Sequence, residues 1–266
     1  MSFVTSRDGT RIGYSVAGAG PALILVDGAL CWRVSGPATP LAEVLKDRFT
    51  VYTYDRRGRG ESGDTLPYAV AREVEDLAAV IEAAGGTVAI YAISSGVGLA
   101  LAAADALGPG KIGKMVLYEF PILADGSRRI DPSYAEVMDR LIAKGDNAGA
   151  VKHFMKNAVG IPGFAVLMMQ LMGVMRKLAP VGPTLAYDTR IATPFWNNVA
   201  PPKDTWANVT MPVLAVGGGK SAAWMQNAQV AVANALSNAT HRTLPGQNHM
   251  VAADAIAPVI AEFLAA

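Results

Sequence analysis

The chain has little cysteine, little histidine and, over one long stretch, no acid at all. Its one cysteine, Cys31, cannot form an internal disulfide, and nothing in the sequence resembles a metal or nucleotide site, so neither a metal nor another cofactor is expected. Net charge is +1 with no long basic run, which removes a nucleic-acid face and gives no reason to expect an acidic partner. No long apolar run is present either. The most apolar segment, "GFAVLMMQLMGVM" at 163–175, is 13 residues long and is interrupted by Gln170 and Gly173, too short to span a bilayer. The start, "MSFVTSRDGT", carries charge where a signal peptide needs an apolar stretch, so a cytoplasmic protein is expected. No internal repeat or low-complexity tract is visible. Only three histidines occur, and no aspartate or glutamate lies between positions 205 and 253.

What is there is apolar and regularly spaced. With 52% apolar residues in 266, the chain can bury a large core within one domain of ordinary α/β size. Asp8-Gly9 is a hairpin-turn signal between strands at 3–6 and 11–17. The runs at 22–27, 50–55, 87–93, 112–119 and 211–218 are nearly continuous in apolar residues, as strands buried on both faces of a parallel sheet are. Helical patterns at 38–46, 68–84, 96–107, 222–236 and 253–265 alternate with them. The expected architecture is an α/β sheet covered by helices on both faces and opened by an antiparallel hairpin. Alternation breaks from Phe120 to about Asn208, where Met-rich helical stretches and Pro/Gly clusters predict a cap (120–208) inserted after the sixth strand into a core made of 1–119 and 209–266.

"YAISSGVG" at 91–98 sets two serines at a strand-to-helix turn. A nucleophile on such a turn has strained backbone angles and needs small residues two before and two after it. Ser94 is flanked by Ala92 and Gly96, whereas Ser95 would be flanked by Ile93 and Val97. Ser94 is therefore the candidate nucleophile; the alternative for this serine is a helix cap. Ser95 supplies the following backbone N–H, which points into an oxyanion hole.

A serine hydroxyl needs a base. His153 lies in the cap and reads as a solvated residue; His241 lies in "ATHRTL" and reads as a half-buried strand residue. His249 sits in "LPGQNHM", a loop between the final strand and the final helix, where catalytic groups gather, and is the expected base. The acid commonly follows the seventh strand, and that position falls in the acid-free stretch. Glu119 ends the sixth strand, beside the nucleophile strand, and is the expected acid, with Asp188 in "LAYDTR" as runner-up.

"YTYDRRGRGES" (52–62), "VDGAL" (26–30), the serine turn and "LPGQNH" (244–249) together resemble the α/β-hydrolase superfamily, over the whole chain outside the cap. More narrowly, "VDGALC", "ISSGVG", "YEFP" and "LPGQNHMVAADA" are similar to the zearalenone-lactonase-like branch, which takes its acid after strand six. That resemblance implies a Ser94, His249, Glu119 triad and an oxyanion hole from the N–H groups of Gly28 and Ser95, with Asp27 and Ala29 near the substrate. Asp27 stands where much of the superfamily has histidine, and can equally be a turn residue. Arg56, Arg57 and Arg59 invite a phosphate-binding reading, but their glycines lack P-loop spacing and the loop is expected to be structural.

The cap contributes Phe154, Met155, Phe164, Met168, Met172, Phe195, Trp196 and Trp206 and few charged groups. The expected ligand is an apolar small-molecule ester or lactone, with Trp196 and Trp206 against it, no membrane or nucleic-acid partner, and water as acyl acceptor. The methionines can be core filler or a pliable lining. A carboxylate-nucleophile dehalogenase or epoxide hydrolase is disfavoured because position 94 is serine. A non-hydrolytic ligand-binding member of the fold and a cofactor-free oxygenase or perhydrolase remain open alternatives.

Overall fold

The computed structural model describes residues 2–266. A hairpin, β1 (Ser2–Thr5) and β2 (Arg11–Ala17), leads into β3 (Ala22–Val26), β4 (Thr50–Tyr54), β5 (Val88–Ile93), β6 (Ile112–Tyr118), β7 (Val213–Gly218) and β8 (Ala239–Leu244). These form one eight-stranded sheet in the order β1-β2-β4-β3-β5-β6-β7-β8. β2 pairs antiparallel with β1 and β4, and every other pairing is parallel. β7 starts two residues later than the apolar run suggests because Pro212 has no N–H to give to a ladder.

Two apolar layers close the sheet. On one face Ile24, Ile90, Met115 and Val213 pack with Leu77 and Val80 of α2 (Val70–Ala83), the small residues of α3 (Ser95–Leu107) and Val232 of α9 (Ala223–Ala235). On the other, Leu23, Leu25, Tyr91 and Val116 meet Leu41 of α1 (Ala38–Leu45) and Ile260 of α10 (Ala253–Ala265). With helices on both faces, the central strands need apolar side chains at every position, which explains their unbroken runs.

Between β6 and β7 the chain runs through α4 (Tyr134–Ala143), α5 (Asn147–His153), a π-helical turn (Phe154–Val159), α6 (Gly163–Leu171), α7 (Val174–Leu178) and α8 (Leu185–Ala192). This segment has an apolar cluster of its own around Tyr134, Met138, Val151, Val166, Met175 and Leu185. α6 departs from the expected role of the methionines: only Val166 on it is buried, and Phe164, Met168 and Met172 point to solvent. No single helix of the described residues is long and apolar enough to cross a membrane.

Candidate active site

The parallel strands β3, β5, β6 and β7 all end at the same edge of the sheet, so the residues just past their C-termini converge, as ligand sites in open α/β sheets do. Ser94 follows β5 with φ 58° and ψ −132°. Glu119 follows β6 with φ 50°. Positive φ at two non-glycine residues flanking one site is held only because the neighbours over-determine it. Ser94 N–H donates to Tyr118 O (2.9 Å), Glu119 N–H to Val216 O (3.1 Å), and the buried Gln229 clamps Phe120 through both its N–H and its C=O (3.0 Å each).

His249 joins the two. Its Nε2 lies 3.2 Å from Ser94 Oγ and its Nδ1 lies 2.8 Å from Glu119 Oε2. The other Glu119 oxygen accepts the Gly218 N–H at 2.7 Å, so the fully buried carboxylate has a fixed orientation. The histidine loop is itself tied down, since Tyr118 Oη donates to Asn248 O at 2.6 Å. Gly218 lets that loop approach: a Cβ there would stand 2.6 Å from Gln247 O.

The β3 loop closes from the opposite side. A Cβ on Gly28 would lie 2.7 Å from Ser94 Cβ, and one on Gly96 2.4 Å from Val26 O, so only glycine permits the contact of these two turns. The Gly28 carbonyl accepts from Arg59 Nη1 (2.6 Å) and the Asp27 carbonyl from Arg56 Nη1 (3.4 Å). In a trans peptide the following N–H faces the opposite way, so the Gly28 and Ala29 N–H groups are turned away from the arginines. Among the described residues neither has a hydrogen-bond partner. Ser95 opens α3, so its N–H has no intrahelical acceptor.

Asp188, the runner-up acid, does not reach His249. Its Oδ1 accepts from Ser95 Oγ and Arg56 Nη1 and its Oδ2 from Arg59 Nη2, all at 2.7 Å. Burial pushes its carboxyl up, but Arg59 and Arg56 outweigh that and hold it below the ordinary value. The arginines of the "DRRGRGES" loop are thus buried and neutralised: Arg56 by Glu73 and Asp188, Arg57 by Asp76 and Asp8, Arg59 by Asp188. None is left to grip a phosphate.

The site opens into a cavity of about 410 Å³ lined by Ser94, Ser95, Glu119, Asp188 and His249 together with Ala29, Trp196, Tyr134 and Phe154. Trp206 is not in its wall. It is buried against Phe195, 5.3 Å between ring centroids, in the core layer beneath α3, because the turn ending at Thr210 folds back onto the sheet. Phe195 packs on Phe120 in the same layer. Asp27 is not in the wall either. Its carboxylate is buried beside Cys31 and Gly36, and burial pushes its carboxyl up to about 7. Of the expected apolar lining only Phe154 and Trp196 face the cavity. His153 stacks on Tyr134 and His241 is exposed on β8 rather than half-buried; neither reaches the site.

Among the cavity residues that escape sequence reasoning are two cations: Arg128, from the segment after β6, and Lys220, from the loop after β7. Each looks like an ordinary loop cation in sequence, and only the fold brings them to one wall. Among the described residues no cluster of three His, Cys, Asp or Glu side chains could hold a metal ion.

The chain belongs to the alpha/beta hydrolase family, whose model matches residues 16–262. It is similar to an alpha/beta hydrolase from Sphaerobacter thermophilus at 42% identity, with 99% of this chain and 100% of that one covered and a TM-score of 0.89. An esterase from Thermogutta terrifontis shares the fold at 21% identity (99% and 97% covered, TM-score 0.71), as does an enol-lactonase from Burkholderia xenovorans at 18% (100% of both, TM-score 0.68).

Proposed function

We propose that the protein is a serine hydrolase of carboxylic esters, an esterase or lactonase that works through an acyl-enzyme. The observation that carries this reading is the continuous contact from Ser94 Oγ to His249 Nε2 and from His249 Nδ1 to Glu119 Oε2. In this reading Ser94 Oγ attacks the ester carbonyl while His249 takes its proton, and Glu119 stabilises the imidazolium and fixes the ring orientation. The carbonyl oxygen becomes an oxyanion facing the Ser95 N–H and the unpartnered N–H groups of the Gly28–Ala29 turn. Collapse expels the alcohol with the proton from His249. Water, deprotonated by His249, then releases the acid and restores Ser94.

A cavity of about 410 Å³ lies within the range of small-molecule pockets, roughly 300–1,000 Å³. The esterase and enol-lactonase that share the fold act in the same broad class, and the sequence resemblance to lactonases makes lactones the second arm of any substrate panel. A fluorophosphonate tests the reading directly. It should label Ser94 in the wild type and nothing in Ser94→Ala, and aryl esters, aliphatic esters or lactones should be turned over only by the wild type. An adduct on Ser95 would overturn the assignment of Ser94, and no adduct with no turnover would replace this reading with a non-hydrolytic ligand-binding role.

A further inference from the structure

One wall of the cavity carries two cations that no carboxylate neutralises. Arg33, Arg56, Arg57 and Arg59 each have an acidic partner. Among the described residues Arg128 and Lys220 have none. Arg128 is half-buried, its guanidinium carbon 4.4 Å from the centroid of the Trp224 ring, with Nη2 donating to Ala158 O. Burial alone acts on it and pulls its pKa down, the mark of a cation held partly out of water without a counter-charge.

The acids that share the cavity are not free to supply that charge. Glu119 is held by His249 and Gly218, and Asp188 by Ser95, Arg56 and Arg59. The loop and helix that form the rest of this wall lie in the acid-free stretch of the chain, and the acid that reaches the helix from outside it, Asp125, is held by Asn227 and Ser127.

Two further features point the same way. Ser221 Oγ, on the same wall, is sealed from solvent and has no hydrogen-bond partner. The first turn of the 13-residue helix α9 also faces the cavity, and Ala222 at its N-cap has no side chain to satisfy the opening N–H groups. Gln226 Nε2 fixes the connecting loop by donating to Ser221 O at 2.8 Å.

We infer that the substrate carries a carboxylate remote from its scissile ester, and that Arg128 and Lys220 hold it at the N-terminus of α9, with the idle Ser221 Oγ rotating out to donate to it, while Ser94 attacks. This rests on the ester-hydrolase reading and narrows its substrate class from apolar esters to half-esters or lactones bearing an acid. A guanidinium held over an indole and tied by one N–H to a carbonyl keeps its unused N–H groups in place, which suits a planar carboxylate. A purely structural Arg128, lying over Trp224 and tying down the turn at Ala158, would explain neither the second unpaired cation in the cavity lining, Lys220, nor the idle hydroxyl of Ser221.

The test compares mono-4-nitrophenyl adipate, pimelate and suberate with their methyl-capped diesters, which share the leaving group and differ only in the distal charge. For at least one chain length, kcat/KM of the half-ester should exceed that of its diester by about ten- to hundredfold at low salt, the range for hydrogen bonds to charged groups. That ratio should shrink with added NaCl. It should fall in Lys220→Gln, whose side chain is exposed, fall further in Arg128→Gln, approach one in the double variant, and be partly restored by Arg128→Lys. A ratio at or below one for all three lengths, or a ratio unchanged in the double variant, overturns the inference.

Failure of the ester-hydrolase reading gives a different pattern, with no labelling of Ser94 and no turnover of either ester. In that event calorimetric titration of monomethyl adipate and dimethyl adipate into Ser94→Ala reads the wall without chemistry. At least tenfold tighter binding of the monoanion, lost in the Arg128/Lys220 double variant, supports the site. Equal binding of the two compounds, or none, sinks it.

Discussion

At the scale of single residues, Glu119 has two tasks at once, and its backbone shows the cost. Its φ of 50° aims the side chain off the end of β6 into the site, where one oxygen meets His249 and the other meets the Gly218 N–H. Glu119→Gln keeps the shape but removes the negative charge that an imidazolium needs. It should lower kcat by at least about a hundredfold, within the roughly 10²–10⁴ typical of acid-base groups. Steady-state kinetics on an aryl ester, with circular dichroism to verify folding, reads this out; near-wild-type activity would remove Glu119 from the machinery. Glu119 was legible from its place at the end of the sixth strand, beside the nucleophile strand, together with the lack of any acid in the stretch after β7. Ser94 was legible from its flanks, since the size of Ala92 and Gly96 is a local requirement. The cavity wall was less so. Trp206 and Phe195 read as lining because an apolar side chain in an inserted segment looks the same whether it packs on a ligand or on a sheet. Arg128 and Lys220 left no signal because their meaning lies in the partners they lack.

At the scale of elements, helix α8 is held to the core by Ile191, which packs in the sheet-facing apolar layer, by Tyr187, whose Oη donates to Asp64 Oδ2 at 2.6 Å, and by the charge of Asp188. Asp188 bridges Arg56 and Arg59 and accepts from Ser95 Oγ, while Arg59 grips the Gly28 carbonyl. The inserted segment and both turns that face Ser94 are therefore held by one buried charge network. Asp188→Asn leaves Arg59 with no carboxylate partner and Arg56 with Glu73 alone. Breaking a buried pair from one side costs about 3–5 kcal/mol, so the variant should show a large loss in urea-midpoint stability. Activity should fall with it, because Ser95 and the Gly28 turn lose their common anchor. A variant as stable as wild type would mean that the network is not a tie between α8 and the core. The α/β alternation made the strands and core helices readable, because period and burial coincide there. The junction at Asp188 was not, since a lone acid on an amphipathic helix reads the same whether it faces water or two arginines.

For the whole molecule, the buried carboxylate of Asp27 makes stability depend on pH. Burial raises its pKa to about 7 in the folded protein, against Arg59 and Arg56, which favour ionisation, and an unfolded chain would ionise it near the ordinary value of about 3.9. Below about pH 4 both states hold the proton and Asp27 contributes no pH dependence. Between about pH 4 and pH 7 the unfolded chain releases the proton while the folded protein retains it, so the folded state binds more protons and stability falls as pH rises. Above about pH 7 the carboxylate is ionised in both states and the penalty is at its full value. Asp27→Asn keeps the size of the side chain and one of its oxygens and has nothing to ionise. Its melting temperature should therefore exceed that of the wild type by several degrees at pH 8, with a gap that narrows through pH 6 and closes towards pH 4.5. Thermal melts of the two proteins across that range measure the gap directly. A difference of constant size at every pH would mean that Asp27 is already ionised in the fold, and that the arginines behind the Gly28 turn, rather than burial, govern its charge.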